Sequence, residues 1–534
     1  MSSANLPKVA AVPEVDSISE KQRSRDDVAL RIAALLLIVV VVVFCLLQPE
    51  MCRNAIQAAR TFVTKYFSWY FVILGTAALV FCLGLAFSRF GSIRLGGEQA
   101  VPEYSRFAWY SMLFACGQGI GLIFWSVAEP IMVQHDDPLY KLSDKSVDGS
   151  MAWSYFHWAV TAWAIYCCVA VCFAYSVHNR KQRASFRGAT EDLFSRSRRR
   201  PIGFIIELVA IITTVFGLAT SFGFAALQFS AGVVSATGLT PSRTMKIIVI
   251  LVIALLTGVS VFFGIERGMK RVSELNSILS IVLMVLVFTL GPTLYLLHLL
   301  PQTLGTYIDT FVQMSVYTDP TTAVSGLQSW SDSWVGIWTV FIWCWCFAFS
   351  PFVASFIASI SRGRTVREFI LGVISIPSLI VVVWICILGG TAIEYDRLEN
   401  GAISKAVSSD ASSGLFAMAS FLPRGTILVV VVATILVATY FITSLDSGVH
   451  ALSSFVSMSA RPSAVFRAVL VTMIAAVSLI LLVLGGDRAL DTIQTGTIIG
   501  ALPFTVIVIF MVVNLLRRLK QDRTAGLEPR SELG

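Results

Sequence analysis

The sequence has little charge. Asp, Glu, Lys and Arg make up 13% of its 534 residues, about half their share in an average soluble protein. Apolar types make up 56%, and the mean hydropathy is +0.78. A soluble globule of this composition would expose large apolar patches and would aggregate. The composition therefore excludes an ordinary cytosolic enzyme, a disordered protein and a small secreted domain held together by disulfides.

Motifs for metal binding and catalysis are also scarce. The five histidines are scattered, and the ten cysteines show no zinc-ligand spacing. Most of the cysteines lie inside apolar runs, which predicts free thiols buried in the membrane. The net charge of +8 comes from basic residues spread over the connections between apolar segments. We therefore expect a protein that is not an enzyme, binds no cofactor and has no nucleic-acid partner.

Long apolar runs dominate what is present. A membrane-spanning helix needs about 20 apolar residues, whereas the strands of a membrane barrel alternate in polarity. The sequence therefore predicts an all-α integral membrane protein with twelve transmembrane helices. The predicted segments are 30–48, 68–88, 106–132, 151–176, 202–230, 244–264, 276–298, 333–359, 367–390, 424–448, 464–485 and 493–515.

The basic residues predict the orientation in the membrane. With the N-terminus in the cytoplasm, most of the 40 Lys and Arg residues fall in cytoplasmic segments, and the densest block is 180–200. We expect both termini to be cytoplasmic in a multi-pass protein of the bacterial inner membrane. The stretch 299–332 has aromatic residues but no Lys or Arg, so we expect an external amphipathic segment there.

Two of the predicted helices carry interruptions. Glycines alternate in 116–121, and such opened backbone can offer carbonyls to a cation and N–H groups to an anion. Close packing between helices is the alternative explanation for these glycines. Pro351 is expected to break the helix 333–359 and to free a carbonyl one turn earlier. Because these interruptions stand five helices apart, they indicate an inverted repeat, with halves 106–298 and 333–515.

Few functional side chains lie within the apolar segments. Trp158, Trp163 and Tyr166 fall within an arc of about 140° on one helix, which suits either a cage for a quaternary ammonium group or core packing. Thr443 and Ser444 are hydroxyls in an apolar run, and they could ligate a small cation or bond back to the preceding turn. The membrane-embedded carboxyl groups of Glu129, Glu207 and Asp446 are too few for a chain of proton carriers, and helix capping is the alternative for them.

Several stretches together resemble the betaine/choline/carnitine transporter family, in the family's order and over about 105–450. They are 117–122, 128–130, 156–158, 163–166, 216–221, 336–345, 350–352, 360–369 and 443–447. The resemblance implies two peripheral N-terminal helices followed by the five-plus-five inverted repeat of the sodium/amino-acid symporter type. It also implies alternating access and a homotrimer. The chain would comprise an N-terminal tail (1–29), peripheral helices (30–105), a first repeat (106–298), an external segment (299–332), a second repeat (333–515) and a C-terminal tail (516–534).

The resemblance also implies a substrate site. Its aromatic cage corresponds to Trp158, Trp163, Tyr166 and Trp345, whereas Cys346 and Phe349 stand where the family usually has tryptophan. The backbone of Gly117, Gln118, Gly119 and Gly121 would meet the substrate's acidic group. Choline-transporting members often have an aspartate at the position of Gly121. Its absence here argues against choline and favours a zwitterion.

Sodium sites are implied in the same way. The principal site corresponds to Ala115, Gln118, Tyr440, Thr443 and Ser444. A second site corresponds to Thr214 and Phe352, but Leu218 replaces its other threonine, so the sodium stoichiometry stays open.

The function that follows is sodium-coupled import of a small zwitterion, such as a betaine-like quaternary ammonium or sulfonium osmolyte. Because Cys346 and Phe349 break the usual cage, two alternatives stay open at this point. One is uptake of a non-quaternary zwitterion such as taurine, and the other is sodium-independent exchange of substrate for product.

Overall fold

The computed structural model describes residues 15–117, 119–139, 146–263, 266–324, 333–423, 425–455, 463–486 and 489–524. Within these ranges the chain is helical, and its one extended pairing is a bridge between Arg94 and Thr365. The helices are α1 (Val15–Leu47), α2 (Pro49–Phe87), α3 (Arg106–Gly117), α4 (Ile120–Asp136), α5 (Ser146–Trp158), α6 (Val160–His178), α7 (Phe186–Thr190), α8 (Arg196–Thr237), α9 (Arg243–Phe263), α10 (Glu266–Leu290), α11 (Thr293–Ser315), α12 (Pro320–Val324), α13 (Phe341–Ser359), α14 (Val366–Leu398), α15 (Ala402–Ser409), α16 (Gly414–Ser420), α17 (Thr426–Phe455), α18 (Ala464–Gly485) and α19 (Ala489–Thr524).

The long helices are those of a membrane protein. In the described part of the chain, eleven helical stretches are long and apolar enough to cross a bilayer. Their outer faces present large apolar side chains such as Leu255, Phe263 and Leu379, each more than half exposed. In water such a surface would aggregate, whereas in lipid it is solvated. The predicted all-helical, multi-pass architecture is therefore confirmed.

The glycine-rich interruption is a true break. α3 ends at Gly117, α4 begins at Ile120, and Gly119 between them is extended, with φ −156° and ψ 174°. The two pieces have 12 and 17 residues, so neither spans a bilayer alone. The predicted segment 106–132 thus consists of two short helices. Gln118 lies outside the described residues.

The expected break at Pro351 is wrong. α13 continues through this proline to Ser359. Proline removes the hydrogen bond to the carbonyl four residues earlier, which is that of Phe347. The hydroxyl of Ser350 donates to the Phe347 oxygen over 2.8 Å and so replaces the missing donor. The irregular part of this segment is instead a π-helical turn at Gly336–Val340, just before α13.

The predicted segment 276–298 is also wrong at its C-terminal end. α10 ends at Leu290, because Gly291 and Pro292 follow and proline cannot donate a helical hydrogen bond. The next residues begin α11, so the segment predicted from 299 starts within a helix. One face of α11 is buried at a spacing of three or four residues, which makes this helix amphipathic. Its buried residues are Leu296, Leu299, Thr303, Tyr307, Thr310, Met314 and Ser315.

Most described cysteines are free thiols, as expected, but one pair is not. The bend between α1 and α2 brings the α-carbons of Cys45 and Cys52 to 5.3 Å, and their sulfur atoms are bonded. The prediction of free thiols is wrong for this pair, because the apolar pattern of 30–48 does not mark the bend. The free, buried cysteines are Cys82, Cys167, Cys168, Cys172, Cys344, Cys346 and Cys386.

A buried arginine joins the first and last parts of the chain. α2 begins about 20 residues before the predicted segment 68–88, and its added turns include Arg60, which is 0% exposed. The guanidinium of Arg60 donates to the Asp491 carbonyl at 3.0 Å and to the side chain of Gln494 at 3.1 Å. A buried charge needs such partners to be tolerated, so this contact fixes α2 against α19.

Candidate functional site

A cavity of about 420 Å³ lies at the break between α3 and α4, bounded further by α6, α10, α13 and α17. Its volume suits a small solute. None of the described residues that line it has a charged side chain. The predicted site residues in its wall are Gly119, Gly121, Trp158, Trp163, Tyr166, Trp345, Cys346, Phe349, Phe352, Tyr440, Thr443 and Ser444.

Four aromatic rings form the centre of the site. Trp158 meets Trp345 edge-on at 5.8 Å between ring centroids, and Trp163 meets Tyr166 at 5.6 Å. The indole N–H of Trp345 donates to the Ser221 hydroxyl over 3.3 Å, which holds this ring from a third helix. The rings thus present π faces and edges from two sides of the cavity.

The sequence predicts Trp158, Trp163 and Tyr166 on one helix, whereas the structure places them on two helical segments. Ala159 leaves helical geometry, with φ −99° and ψ −116°, so Trp158 ends α5 while Trp163 and Tyr166 lie on α6. The predicted segment 151–176 lies within one apolar stretch, Ser146–His178, which contains this distortion. No glycine or proline adjoins Ala159, so nothing in the sequence indicates the distortion.

Cys346 and Phe349 both line the cavity, as predicted. The Cys346 thiol lies beside the Tyr166 hydroxyl, and Phe349 packs edge-on against Phe352 at 5.2 Å. A thiol has no ring quadrupole, so this part of the wall offers the substrate a small polarizable group in place of a π face. The cage therefore offers the substrate fewer aromatic contacts on the side formed by α13.

Gly121 allows the rings of Trp158 and Trp345, which form two walls of the cage, to lie close together. A β-carbon at this position would lie 2.6 Å from Cη2 of Trp345 and 3.1 Å from Cη2 of Trp158. Real β-carbons do not approach carbon atoms to 2.6 Å, so even alanine here displaces Trp345. An aspartate would displace it further. The glycine is therefore required by the packing of the rings.

Oxygen and amide groups of α10 and α17 form a polar region beside the cage. Thr443 Oγ1 accepts a hydrogen bond from Asn276 Nδ2 at 2.9 Å, and it lies 2.9 Å from the Thr439 carbonyl of its own helix. The back-bond that the sequence left open is thus present. Ser444 lies in the cavity wall one residue further on. Asn276 is 5% exposed, and its Oδ1 has no hydrogen-bond partner.

Sequence reasoning missed Asn276, although the sequence contains a signal for it. Ser273 and Ser280 each lie three or four residues from the adjacent pair Asn276 and Ser277, which places the four on one face of α10. Ser273, Asn276 and Ser277 line the cavity, and the Ser280 hydroxyl lies 2.6 Å from the Tyr440 hydroxyl. A polar stripe on an apolar helix is a pattern that can be searched for.

The second predicted cation site stays a prediction. Thr214 is buried, and its hydroxyl donates to the Ala210 carbonyl at 2.6 Å. Leu218, which stands in place of the other threonine, packs against Gly448, where a β-carbon would lie 2.5 Å from the leucine side chain. Phe352 lines the cavity.

Buried rings lie next to the cage, and exposed polar residues belong to the cavity wall. Phe341 stacks on Trp345 at 5.6 Å, and Trp125 packs edge-on against Trp338 at 5.6 Å and lies 5.9 Å from Phe341. The rings of Trp125, Trp338 and Phe341 are almost fully buried. The exposed residues Ser273 and Ser447 belong to the wall. Access therefore runs from the end of the bundle at which α10 begins and α17 ends.

Comparisons with known proteins agree with this geometry. The profile of the betaine/carnitine/choline family of transporters matches residues 29–524. The chain is 36% identical over 498 residues to glycine betaine transporter 1 of Vibrio parahaemolyticus, covering 92% of this chain and 93% of that protein. It is 34% identical to an ectoine/hydroxyectoine transporter of Virgibacillus pantothenticus, covering 86% and 90%.

Two further similarities are to a curated transporter and to a solved structure. The chain is 32% identical to a glycine betaine transporter of Bacillus subtilis, covering 90% of this chain and 92% of that protein. It also shares a TM-score of 0.43 and 15% identity with a substrate-bound, outward-open sodium-coupled sialic acid symporter, covering 79% of this chain and 84% of that one. That structural likeness is too low to inform the fold or the coupling ion.

The family match extends over nearly the whole chain, and the relatives above 30% identity are matched over most of their own length. The protein is a transporter and not an enzyme, as its composition predicts. The chain belongs to the betaine/carnitine/choline family of transporters.

Proposed function

We propose that this protein imports a betaine-like zwitterion across the bacterial inner membrane, driven by sodium and by alternating access. The observation that carries the proposal is that one cavity, without a charged side chain among its described wall residues, brings together four aromatic rings and the hydroxyls of Thr443 and Ser444. The rings suit an organic cation and the hydroxyls suit a small inorganic one.

The cationic end of the substrate would bind between the rings of Trp158, Trp163, Tyr166 and Trp345. A desolvated cation–π contact contributes about 2 kcal/mol, so several rings can replace a carboxylate partner. The carboxylate end would meet backbone N–H groups at the start of α4, where Gly119 opens the helix. The N-terminus of a helix attracts anions, and this one faces the cavity.

A sodium ion would bind among neutral oxygens. Thr443 and Ser444 supply hydroxyls, and Tyr440 and Ala115 would supply carbonyl oxygens, together with Gln118. The Oδ1 of Asn276 adds an oxygen atom that lacks a hydrogen-bond partner in this region. We propose one site only, because Leu218 replaces the second threonine of the other site that the resemblance implies.

The two alternative functions lack support of their own. A taurine carrier would not need four aromatic rings, and a sodium-independent exchanger would not need Thr443 and Ser444 in the wall. The relatives are named for glycine betaine and for ectoine, which are both zwitterions with a delocalised or quaternary nitrogen cation. Betaine-type solutes are therefore the substrates we propose.

The helix order supports the proposed inverted repeat and the count of twelve crossings. Counting α3 with α4, and α5 with α6, as single crossings gives five before α11: those two, α8, α9 and α10. Five more follow it, namely α13, α14, α17, α18 and α19. With α1 and α2 these make twelve. We propose cytoplasmic termini from the distribution of basic residues, and a homotrimer from the family resemblance.

Uptake by purified protein in liposomes tests the substrate class. The panel is glycine betaine, carnitine, ectoine, a sulfonium zwitterion, choline and taurine, each supplied with an inward sodium gradient. We expect uptake of glycine betaine or the sulfonium compound, and no uptake of choline. Uptake of taurine alone would show that Cys346 and Phe349 have changed the substrate class, and it would contradict the proposal.

Gly121→Ala tests the close approach of the two cage walls. The added methyl group displaces Trp345, so we expect the KM for glycine betaine to rise about tenfold or more, equivalent to about 1.4 kcal/mol of binding. Initial uptake rates over a range of concentrations measure this. Gly84→Ala is the matched control, because no atom lies within 4 Å of the added carbon there. Equal KM values for both variants would count against the packed cage.

Cys346 provides a test of where the substrate binds. In a variant that keeps only this cysteine, we expect glycine betaine to slow modification by a membrane-permeant maleimide severalfold. A second variant that keeps only Cys386, which is buried outside the cavity wall, should be labelled at a rate that substrate does not change. Labelling of Cys346 at equal rates with and without substrate would place the site elsewhere.

A further inference from the structure

The carboxyl group of Glu129 is buried and lies at the N–H edge of the Trp158 ring, which is one of the four rings of the cage. Glu129 of α4 is 0% exposed, and its Oε2 accepts a hydrogen bond from the Trp158 indole N–H at 2.5 Å. Its Oε1 lies 2.6 Å from Nδ1 of His157, which is also 0% exposed. The other nitrogen of His157 lies 3.0 Å from the Thr339 hydroxyl. Both carboxyl oxygens therefore have partners.

Burying the Glu129 carboxyl group within the membrane carries a cost in free energy. An ionisable group buried within a membrane segment is expensive, and residues of this kind usually face a functional cavity. Glu129 itself is absent from the cavity wall, whereas Trp158 belongs to it. The indole ring thus connects the carboxyl group to the substrate space, which has no charged side chain of its own among the described wall residues.

A hydrogen bond to this carboxyl group affects Trp158 in two ways. It fixes the rotation of the ring, because the N–H must point at Oε2 and a charge-assisted bond is strong. It also polarises the indole N–H bond toward Oε2, which makes the ring more electron-rich and, in a medium of low dielectric constant, strengthens the attraction that the ring exerts on a cation. Both effects act at the ring and neither requires contact between Glu129 and the substrate.

We propose that Glu129 is a positioning residue that sets the affinity for the cationic group of the substrate through the indole N–H of Trp158. His157 and Thr339 orient the carboxyl group from the other side. The inference rests on the proposed function, because it assumes a cationic group in the cage. It adds a role for the pair of Glu129 and His157, for which helix capping was the alternative.

A double-mutant cycle tests the route through Trp158. Glu129→Gln keeps the size and an acceptor oxygen but removes the charge, and Trp158→Phe keeps a ring but removes the N–H. We expect Glu129→Gln to raise the KM for glycine betaine about tenfold with a maximal rate within about twofold of the wild type. In the Trp158→Phe background, the same glutamine substitution should change the KM less than twofold. Equal KM ratios in both backgrounds would overturn the inference.

A second measurement separates positioning from a general effect on folding. In protein labelled with 5-fluorotryptophan, the resonance of Trp158 is assigned as the one missing from Trp158→Phe. We expect Glu129→Gln to shift this resonance. The control is Glu207→Gln, which changes another buried carboxyl group, one that receives the Arg187 backbone N–H at 2.8 Å and is absent from the cavity wall. A Trp158 resonance unmoved by Glu129→Gln would also overturn the inference.

The outcomes distinguish this inference from the proposed function. If the wild-type protein transports no zwitterion of the panel, the proposed function fails and the role of Glu129 fails with it. If the wild type transports glycine betaine and Glu129→Gln leaves its KM unchanged, only the role of Glu129 fails.

Discussion

Replacing Trp163 with leucine is expected to raise the KM for glycine betaine about 30-fold while the protein remains folded. Trp163 is 4% exposed, lines the cavity and packs against Tyr166, so its removal takes away one ring face and loosens another. The loss of a desolvated cation–π contact of about 2 kcal/mol corresponds to a roughly 30-fold weaker binding. Concentration series of initial uptake rates in liposomes measure the change.

The matched control for this variant is Trp69→Leu. Trp69 is 58% exposed on the outer face of α2 and its indole donates to the Tyr66 carbonyl of the same helix. We expect unchanged uptake for it, because it removes a lipid-facing ring of the same size. If Trp163→Leu showed the same KM and maximal rate as the wild type, Trp163 would have no part in substrate binding.

The second large effect is expected when both hydroxyls of α17 are removed. Replacing Thr443 and Ser444 with alanine takes two oxygen ligands from the proposed sodium site. Remaining carbonyl oxygens cannot restore the coordination that sodium needs. We expect the variant to lose stimulation of uptake by sodium, so that uptake rates with inward sodium and inward potassium gradients become equal.

Thr439→Ala is the control for the double variant. Thr439 lies one turn earlier on the same helix, and its hydroxyl donates to the Ile435 carbonyl at 2.9 Å rather than to the cavity. We expect sodium dependence close to that of the wild type for it. Full sodium stimulation in the variant lacking both hydroxyls would show that Thr443 and Ser444 do not bind the coupling sodium ion.

Much of the site could be predicted because its chemistry requires rare residue types in an apolar context. Glycines at 117, 119 and 121 are unusual in a spanning helix, and the structure opens the backbone at Gly119. Hydroxyls such as Thr443 stand out in the same way. The family resemblance then joined segments that are far apart in sequence, which periodicity alone cannot do.

The failures have physical reasons. Pro351 was expected to break a helix, but the neighbouring hydroxyl of Ser350 supplies the missing donor to the freed carbonyl. Neither glycine nor proline adjoins Ala159, so the sequence pattern does not indicate the distortion there. The contact between Glu129 and His157 joins α4 to α5 over 28 residues, so it becomes visible only when the helices are assembled.

The asymmetry of the cavity fits one state of an alternating-access cycle. The rings of Trp125, Trp338 and Phe341 are buried next to the cage, while the exposed residues Ser273 and Ser447 mark the open side. With the orientation that the basic residues predict, the open side faces the cytoplasm. The reverse state would need these rings to separate and the polar end between α10 and α17 to close.

Accumulation of glycine betaine in proteoliposomes tests the central claim most directly. Purified protein is supplied with labelled glycine betaine at equal concentrations inside and outside, and an inward sodium gradient is imposed, with an inward potassium gradient as the control. The account predicts transient accumulation above the external concentration with sodium and none with potassium. Equal internal and external concentrations under both gradients would contradict sodium-coupled transport.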